Sequence, residues 1–297
     1  MTTHKNLVLL LGFSWMLMGC NAFFYYPSQK IYYTPHDFGA AYEDIYFTSK
    51  DGTQLNGWFI PAIGSTKGTV IYFHGNAENI TNHYLFVQWL PEEGFNLFIF
   101  DYRGYGASSG KPDRQGIVED SMAAINYIRQ RSDVDPHRIL IFGQSLGGAL
   151  ALAAVAQDSQ DSKVGIRAVV VESTFASYRN VAREKLGDFW LTWPFQWPLA
   201  WLLISDDQSP LPMLKKIAPI PLLVIHGDDD QTVSYSQGRQ LYQAAFPPKY
   251  FWTVAGGHHT EAFTRYAKEY RPRLVKFFEE HLNDPIVPAF TTEPLSK

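Results

Sequence analysis

Cysteine is almost absent: Cys20 is the single one in 297 residues. One thiol forms no intrachain disulfide, so no bridge framework staples this chain. An excess of one charge is missing too. The formal net charge is −4 with both signs scattered, which leaves no basic stripe for a nucleic-acid partner. The apolar run from Leu7 to Met18 falls well short of the roughly 20 residues that cross a bilayer. No internal repeat is visible. What is present is a globular composition, 46% hydrophobic and 18% charged, which excludes wholesale disorder. The length suits one large α/β domain with a full core rather than two.

The N-terminus carries a separate message. Lys5 followed by a short apolar run reads as a secretory signal. The run ends in Leu17-Met18-Gly19-Cys20, which resembles a bacterial lipobox, where the cysteine becomes the lipidated first residue of the exported protein. The expectation is a signal peptide over 1–19, a tether over 20–40 rich in Tyr and Phe, and a lipoprotein held on a membrane of the bacterial cell envelope. Asn21 allows outer-membrane sorting.

Beyond the tether, Tyr42 to Thr48 and Leu55 to Ile60 flank Asp51-Gly52 and read as a hairpin. Short continuous apolar runs follow at Val70 to Phe73, Asn96 to Phe100, Ile139 to Phe142, Ala168 to Val171 and Leu222 to Ile225, the pattern of parallel strands buried on both faces. Helical spacing marks Gln115 to Arg131, Leu146 to Ala156, Tyr235 to Ala245 and Glu261 to Leu282. Alternating strands and helices predict an α/β fold with a mostly parallel sheet covered on both faces. One stretch breaks the rhythm, from about 176 to 216. It holds Trp190, Trp193, Trp197 and Trp201, and Pro194 and Pro198 interrupt any single helix there. The domain is expected over 41–283, with a loose tail over 284–297.

Chemistry is concentrated in Gly143-Gln144-Ser145-Leu146-Gly147-Gly148, directly after an apolar strand. G-x-S-x-G between strand and helix lifts a serine clear of the backbone and aims helix N–H groups at the reacting oxygen. Such a serine needs a base, an acid to orient the base, and donors for an oxyanion. Asp230 follows the strand Leu222 to Ile225 and is the candidate acid; a calcium loop made from Asp228, Asp229 and Asp230 is the weaker reading of that turn. The base is His258 or His259, adjacent residues that cannot both face Ser145. Backbone N–H groups of Asn76, in the His74-Gly75-Asn76 turn, and of Leu146 are the candidate oxyanion donors. Arg103 and Glu172 read as loop-fixing charges rather than catalytic ones.

Taken together, His74-Gly75-Asn76-Ala77-Glu78-Asn79, Asp101-Tyr102-Arg103-Gly104-Tyr105-Gly106, the Ser145 turn, His226-Gly227 with Asp230, and His259-Thr260-Glu261 resemble the alpha/beta-hydrolase superfamily, in particular its abhydrolase-domain serine hydrolases. The likeness runs from about Glu43 to Leu282 in matching order. It implies an eight-stranded sheet with only the second strand antiparallel and a lid inserted after the sixth. It also implies Ser145 as nucleophile, Asp230 as acid, Asn76 and Leu146 as oxyanion donors, and His259 rather than His258 as base, because members often end in Gly-His-Asn-Asp.

The expected reaction is hydrolysis of a carboxylic ester or thioester through an acyl-enzyme, with a small-molecule ester substrate and no metal or organic cofactor. The Trp-rich segment, poor in charge, favours an apolar acyl group or, facing a bilayer, a lipid ester. Two alternatives stand beside this: a peptidase or amidase of the prolyl-oligopeptidase type, and a membrane-tethered binding protein that keeps the fold without its chemistry.

Overall fold

The computed structural model describes residues 24–158 and 165–284. The expected signal peptide, Cys20 and the expected loose tail beyond Asp284 lie outside the described residues. Eight strands form one sheet: β1 Glu43–Thr48, β2 Gln54–Ile60, β3 Gly68–Phe73, β4 Phe95–Asp101, β5 Ile139–Gln144, β6 Ile166–Glu172, β7 Leu222–Gly227 and β8 Lys249–Val254. Their order across the sheet is β1-β2-β4-β3-β5-β6-β7-β8. Only β2 runs antiparallel to its neighbours; every other pairing is parallel.

Period-two alternation splits the strand residues between two cores. Ile71, Phe73, Phe98, Phe100, Ile141, Val169 and Val171 face one side. There they meet α2 (Arg114–Gln130), α3 (Leu146–Gln157) and α6 (Tyr235–Ala244) through Ile117, Ile125, Ile128, Leu150 and Leu241. Val70, Tyr72, Leu97, Ile99, Leu140, Phe142, Val170 and Leu223 face the other side. They are covered by α1 (Ile80–Val87) and α7 (Ala267–Asn283) through Tyr84, Val87, Leu274 and Phe278. The central strands are apolar on both faces because both faces are covered.

Between β6 and β7 the chain leaves the sheet and forms α4 (Tyr178–Gly187), a 3-10 turn at Trp193–Phe195, and α5 (Gln196–Leu203). Pro194 is the second residue of the 3-10 turn and Pro198 sits in the first turn of α5, where a missing N–H costs nothing. The segment expected as a tether is packed from Phe24 onward: Phe24 and Tyr25 are buried. Tyr26–Pro27 pairs in parallel with Ala77–Glu78 just past β3. The last helix begins at Ala267, later than its apolar spacing predicts, because Thr260, Ala262, Thr264 and Tyr266 spend their N–H groups on other partners.

Arg103, after β4, binds Asp120 of α2 through Nε and Nη2 at 2.9 and 2.7 Å. It also reaches Asp51 of the β1–β2 turn at 2.9 Å. Its role is to tie hairpin, loop and helix together, as a bidentate guanidinium does well.

Candidate active site

Gln144 ends β5 and Leu146 opens α3, so Ser145 makes the whole turn alone, at φ 54° and ψ −122°. A non-glycine residue there costs about 1–3 kcal/mol and persists only when its surroundings hold it. The Ser145 N–H donates to the Glu172 carbonyl at 2.9 Å, and Thr174 Oγ1 donates to the Ser145 carbonyl at 2.6 Å. The flanking glycines are a steric necessity. A Cβ on Gly147 would lie 2.0 Å from the Phe73 oxygen, and one on Gly143 would lie 2.6 Å from the Gly147 oxygen.

Asp230 lies three residues past β7 and is almost fully buried. Its Oδ1 accepts the N–H groups of Thr232 and Val233 at 2.8 and 2.9 Å. Its Oδ2 accepts from His259 Nδ1 at 2.8 Å, with His226 Nε2 at 3.5 Å. Burial alone would raise its pKa, but hydrogen bonds from His226, His259 and Val233 outweigh it and hold the carboxyl well below the usual carboxylate range. An ionised carboxylate accepts only, so Nδ1 of His259 carries a proton, which in the neutral ring leaves Nε2 as the acceptor. That Nε2 stands 3.0 Å from Ser145 Oγ.

His258 is turned elsewhere. Its Nδ1 lies 2.9 Å from the Asp229 carbonyl and its side chain is about half exposed. Asp228 Oδ1 accepts the Gly256 N–H and Asp229 Oδ1 accepts from Gln231, so the three neighbouring aspartates serve three different partners. Among the described residues no group of three His, Cys, Asp or Glu side chains is arranged to hold a metal ion.

The loop after β3 passes beside the serine: a Cβ on Gly75 would stand 3.8 Å from Ser145 Cβ. His74 is fully buried and fixes this loop, its Nδ1 donating to the Gly75 carbonyl at 2.8 Å. Burial, together with the nearby His83, holds it well below the usual histidine range, so it stays neutral. The Asn76 carbonyl is taken by two donors, Tyr105 Oη at 2.8 Å and the Tyr26 N–H at 2.9 Å. Leu146 opens α3, where an N–H has no intrahelical acceptor. Asn76, Ser145 and Leu146 border one cavity of about 200 Å³, walled by Phe24, Phe175, Val181, Lys185, Thr232 and Val233.

Sequence reasoning missed two parts of this site. One is the strap from Phe24 to Ser28, which walls the cavity with Phe24 and holds the Asn76 loop by backbone pairing. The other is how Glu172 does its work. Gln144 Nε2 donates to its Oε2 at 2.5 Å, and the Ala262 N–H donates to its Oε1 at 2.9 Å. Tyr72 Oη in turn donates to Gln144 Oε1. Glu172 thereby anchors the loop that presents His259; its placement at the end of an apolar strand was the available signal.

The family model described as serine aminopeptidase, S33, matches residues 64–211. YfhR of Escherichia coli K12, named as uncharacterised, is 41% identical over 266 residues, 88% of either chain. The alpha/beta hydrolase domain-containing protein WAV2 of Arabidopsis thaliana is 32% identical over 266 residues, covering 84% of this chain and 82% of its own. The chain belongs to the alpha/beta-hydrolase family. Two solved structures share its fold. The Pyrococcus furiosus esterase Pf2001 superposes with a TM-score of 0.69 at 22% identity, over 87% of this alpha/beta hydrolase and 98% of its own chain. An acylaminoacyl peptidase of Pyrococcus horikoshii superposes with a TM-score of 0.62 at 20% identity, over 84% of this chain and 43% of its own.

Proposed function

We propose that this alpha/beta hydrolase is a serine esterase that cleaves carboxylic esters of apolar acyl groups through an acyl-enzyme. The observation that carries the reading is the position of His259, whose two ring nitrogens stand 3.0 Å from Ser145 Oγ and 2.8 Å from Asp230 Oδ2. His259 Nε2 takes the Ser145 proton as Oγ attacks the carbonyl carbon, and Asp230 stabilises the imidazolium. The oxyanion is met by the N–H groups of Asn76 and Leu146, each contributing on the order of 3 kcal/mol to the transition state. His259 then protonates the leaving alkoxide, and water attacks the acyl-enzyme by the same route in reverse. Phe24, Phe175, Val181 and Val233 supply an apolar wall for the acyl group. The proposed setting is the cell envelope, with the exported chain anchored by lipidation of Cys20.

A fluorophosphonate probe tests the chemistry. The full chain should be labelled on one residue, with labelling lost in Ser145→Ala; a folded wild type that takes no label sinks the enzyme reading in favour of a binding protein. p-Nitrophenyl esters of graded length compared with peptide p-nitroanilides then separate the bonds. The serine-aminopeptidase description of the matching family model favours amide cleavage as the second reading. Faster turnover of the anilides would transfer the assignment to it.

A further inference from the structure

The segment between β6 and β7 carries an apolar surface that nothing among the described residues covers. From Phe189 to Leu202 there is no charged residue. Eight large apolar side chains in that stretch are each more than half exposed, among them Trp190 at 75%, Trp193 at 61%, Trp197 at 66% and Trp201 at 69%. Single exposed apolar residues are ordinary, but a run of this size marks an interaction site. Its composition narrows the partner, because indole rings are enriched where a bilayer meets water.

Where this face sits decides the occupant. α4 links it to the catalytic cavity: Val181 and Lys185 wall the cavity, and Arg183 between them lies 4.4 Å over the Trp197 ring. The described chain begins at the same place. Phe24 walls that cavity and meets Tyr178 of α4 edge-to-face at 4.9 Å. Cys20 precedes Phe24 by four residues, a reach of at most roughly 14 Å for an extended chain. A lipid chain attached at Cys20 would start within that reach of Phe24, which packs on the same helix that touches Trp197. One acyl anchor binds marginally and a second apolar element makes attachment firm.

We propose that the Phe189–Leu202 face docks on a lipid bilayer and sets the mouth of the Ser145 cavity against it, so that ester substrates enter from the membrane. Entry of esters from the membrane rests on the esterase reading; docking itself does not. A second copy of this chain and residues 1–23 are the competing occupants.

The test uses the full chain in phosphatidylcholine vesicles whose acyl chains carry bromine, a contact quencher of indole. A variant replaces all four tryptophans, Trp190→Ser, Trp193→Ser, Trp197→Ser and Trp201→Ser. The wild type should lose at least twice the fraction of emission that the variant loses. Hydrolysis of a vesicle-borne long-chain ester should fall about 10-fold in the variant, while turnover of soluble p-nitrophenyl acetate stays within about twofold. Equal quenching in both proteins overturns the docking. So does shielding of the tryptophans from aqueous iodide without quenching by the lipid, which at dimeric mass identifies a second copy and at monomeric mass residues 1–23. Failure of both esters in the wild type with quenching intact would sink the esterase reading alone.

Discussion

Asp230 uses its two oxygens for two tasks. Oδ1 fixes the turn by accepting from Thr232 and Val233, while Oδ2 selects the His259 tautomer. Asp230→Asn separates these tasks. An amide oriented to keep both turn N–H groups on its oxygen offers His259 an NH₂ where the carboxylate was, so the proton moves to Nε2 and the acceptor facing Ser145 is lost. The expected result is a drop in kcat of about 10⁴ with the fold intact by circular dichroism, the size of effect a reversed tautomer produces. His258→Ala should stay within about twofold of wild type. A variant Asp230→Asn that keeps a tenth of wild-type turnover removes the aspartate from the mechanism, and loss of turnover in His258→Ala reassigns the base.

At the level of elements, legibility followed the kind of force involved. β3 to β7 declare themselves in sequence because burial on both faces demands continuous apolar runs, and the Ser145 turn because its steric demands admit only glycine at 143 and 147. The choice between His258 and His259 is a question of which way a loop faces, and local sequence carries little of it. α1 has only Ile80, Thr81, Tyr84 and Val87 on its buried face, too short a pattern to stand out. The register of the strap was invisible for another reason: its pairing with a distant loop is made by backbone hydrogen bonds, and such bonds leave no side-chain signature. Tyr26 shows this, since its ring is more than half exposed while its N–H binds the Asn76 carbonyl at 2.9 Å. Tyr26→Pro deletes that donor, and the ring it removes is an exposed one. With Tyr105 Oη alone on the Asn76 carbonyl, kcat on a p-nitrophenyl ester should fall about 10-fold with KM nearly unchanged, because in the proposed mechanism the Asn76 N–H serves the transition state. Unaltered kcat would show that the strap does not position the Asn76 loop.

Across the whole molecule, the loops that carry Ser145 and His259 are joined by a buried polar chain that crosses the C-terminal edge of the sheet. Tyr72 on β3 donates to Gln144 on β5, Gln144 donates to Glu172 on β6, and Glu172 accepts the N–H of Ala262, three residues past His259. Because Glu172 is fully buried, its carboxyl is pushed up from the ordinary 4.5 to about 6, and the donors from Gln144 and Ala262 offset only part of the burial. The sign of the resulting pH dependence follows directly. Between pH 4.5 and 6 the folded protein binds more protons at this site than the unfolded chain, so stability falls as pH rises through that window. The contribution is complete below 4.5 and lost above 6, a change of about 2 kcal/mol. Glu172→Gln cannot ionise and should lack it. Urea unfolding at intervals from pH 4 to 7 measures the difference: relative to Glu172→Gln, the wild type should gain about 2 kcal/mol as pH falls. Two parallel stability curves would mean that Glu172 titrates alike in both states, and that the carboxylate is held as an anion by the very network that binds the His259 loop to the rest of the sheet.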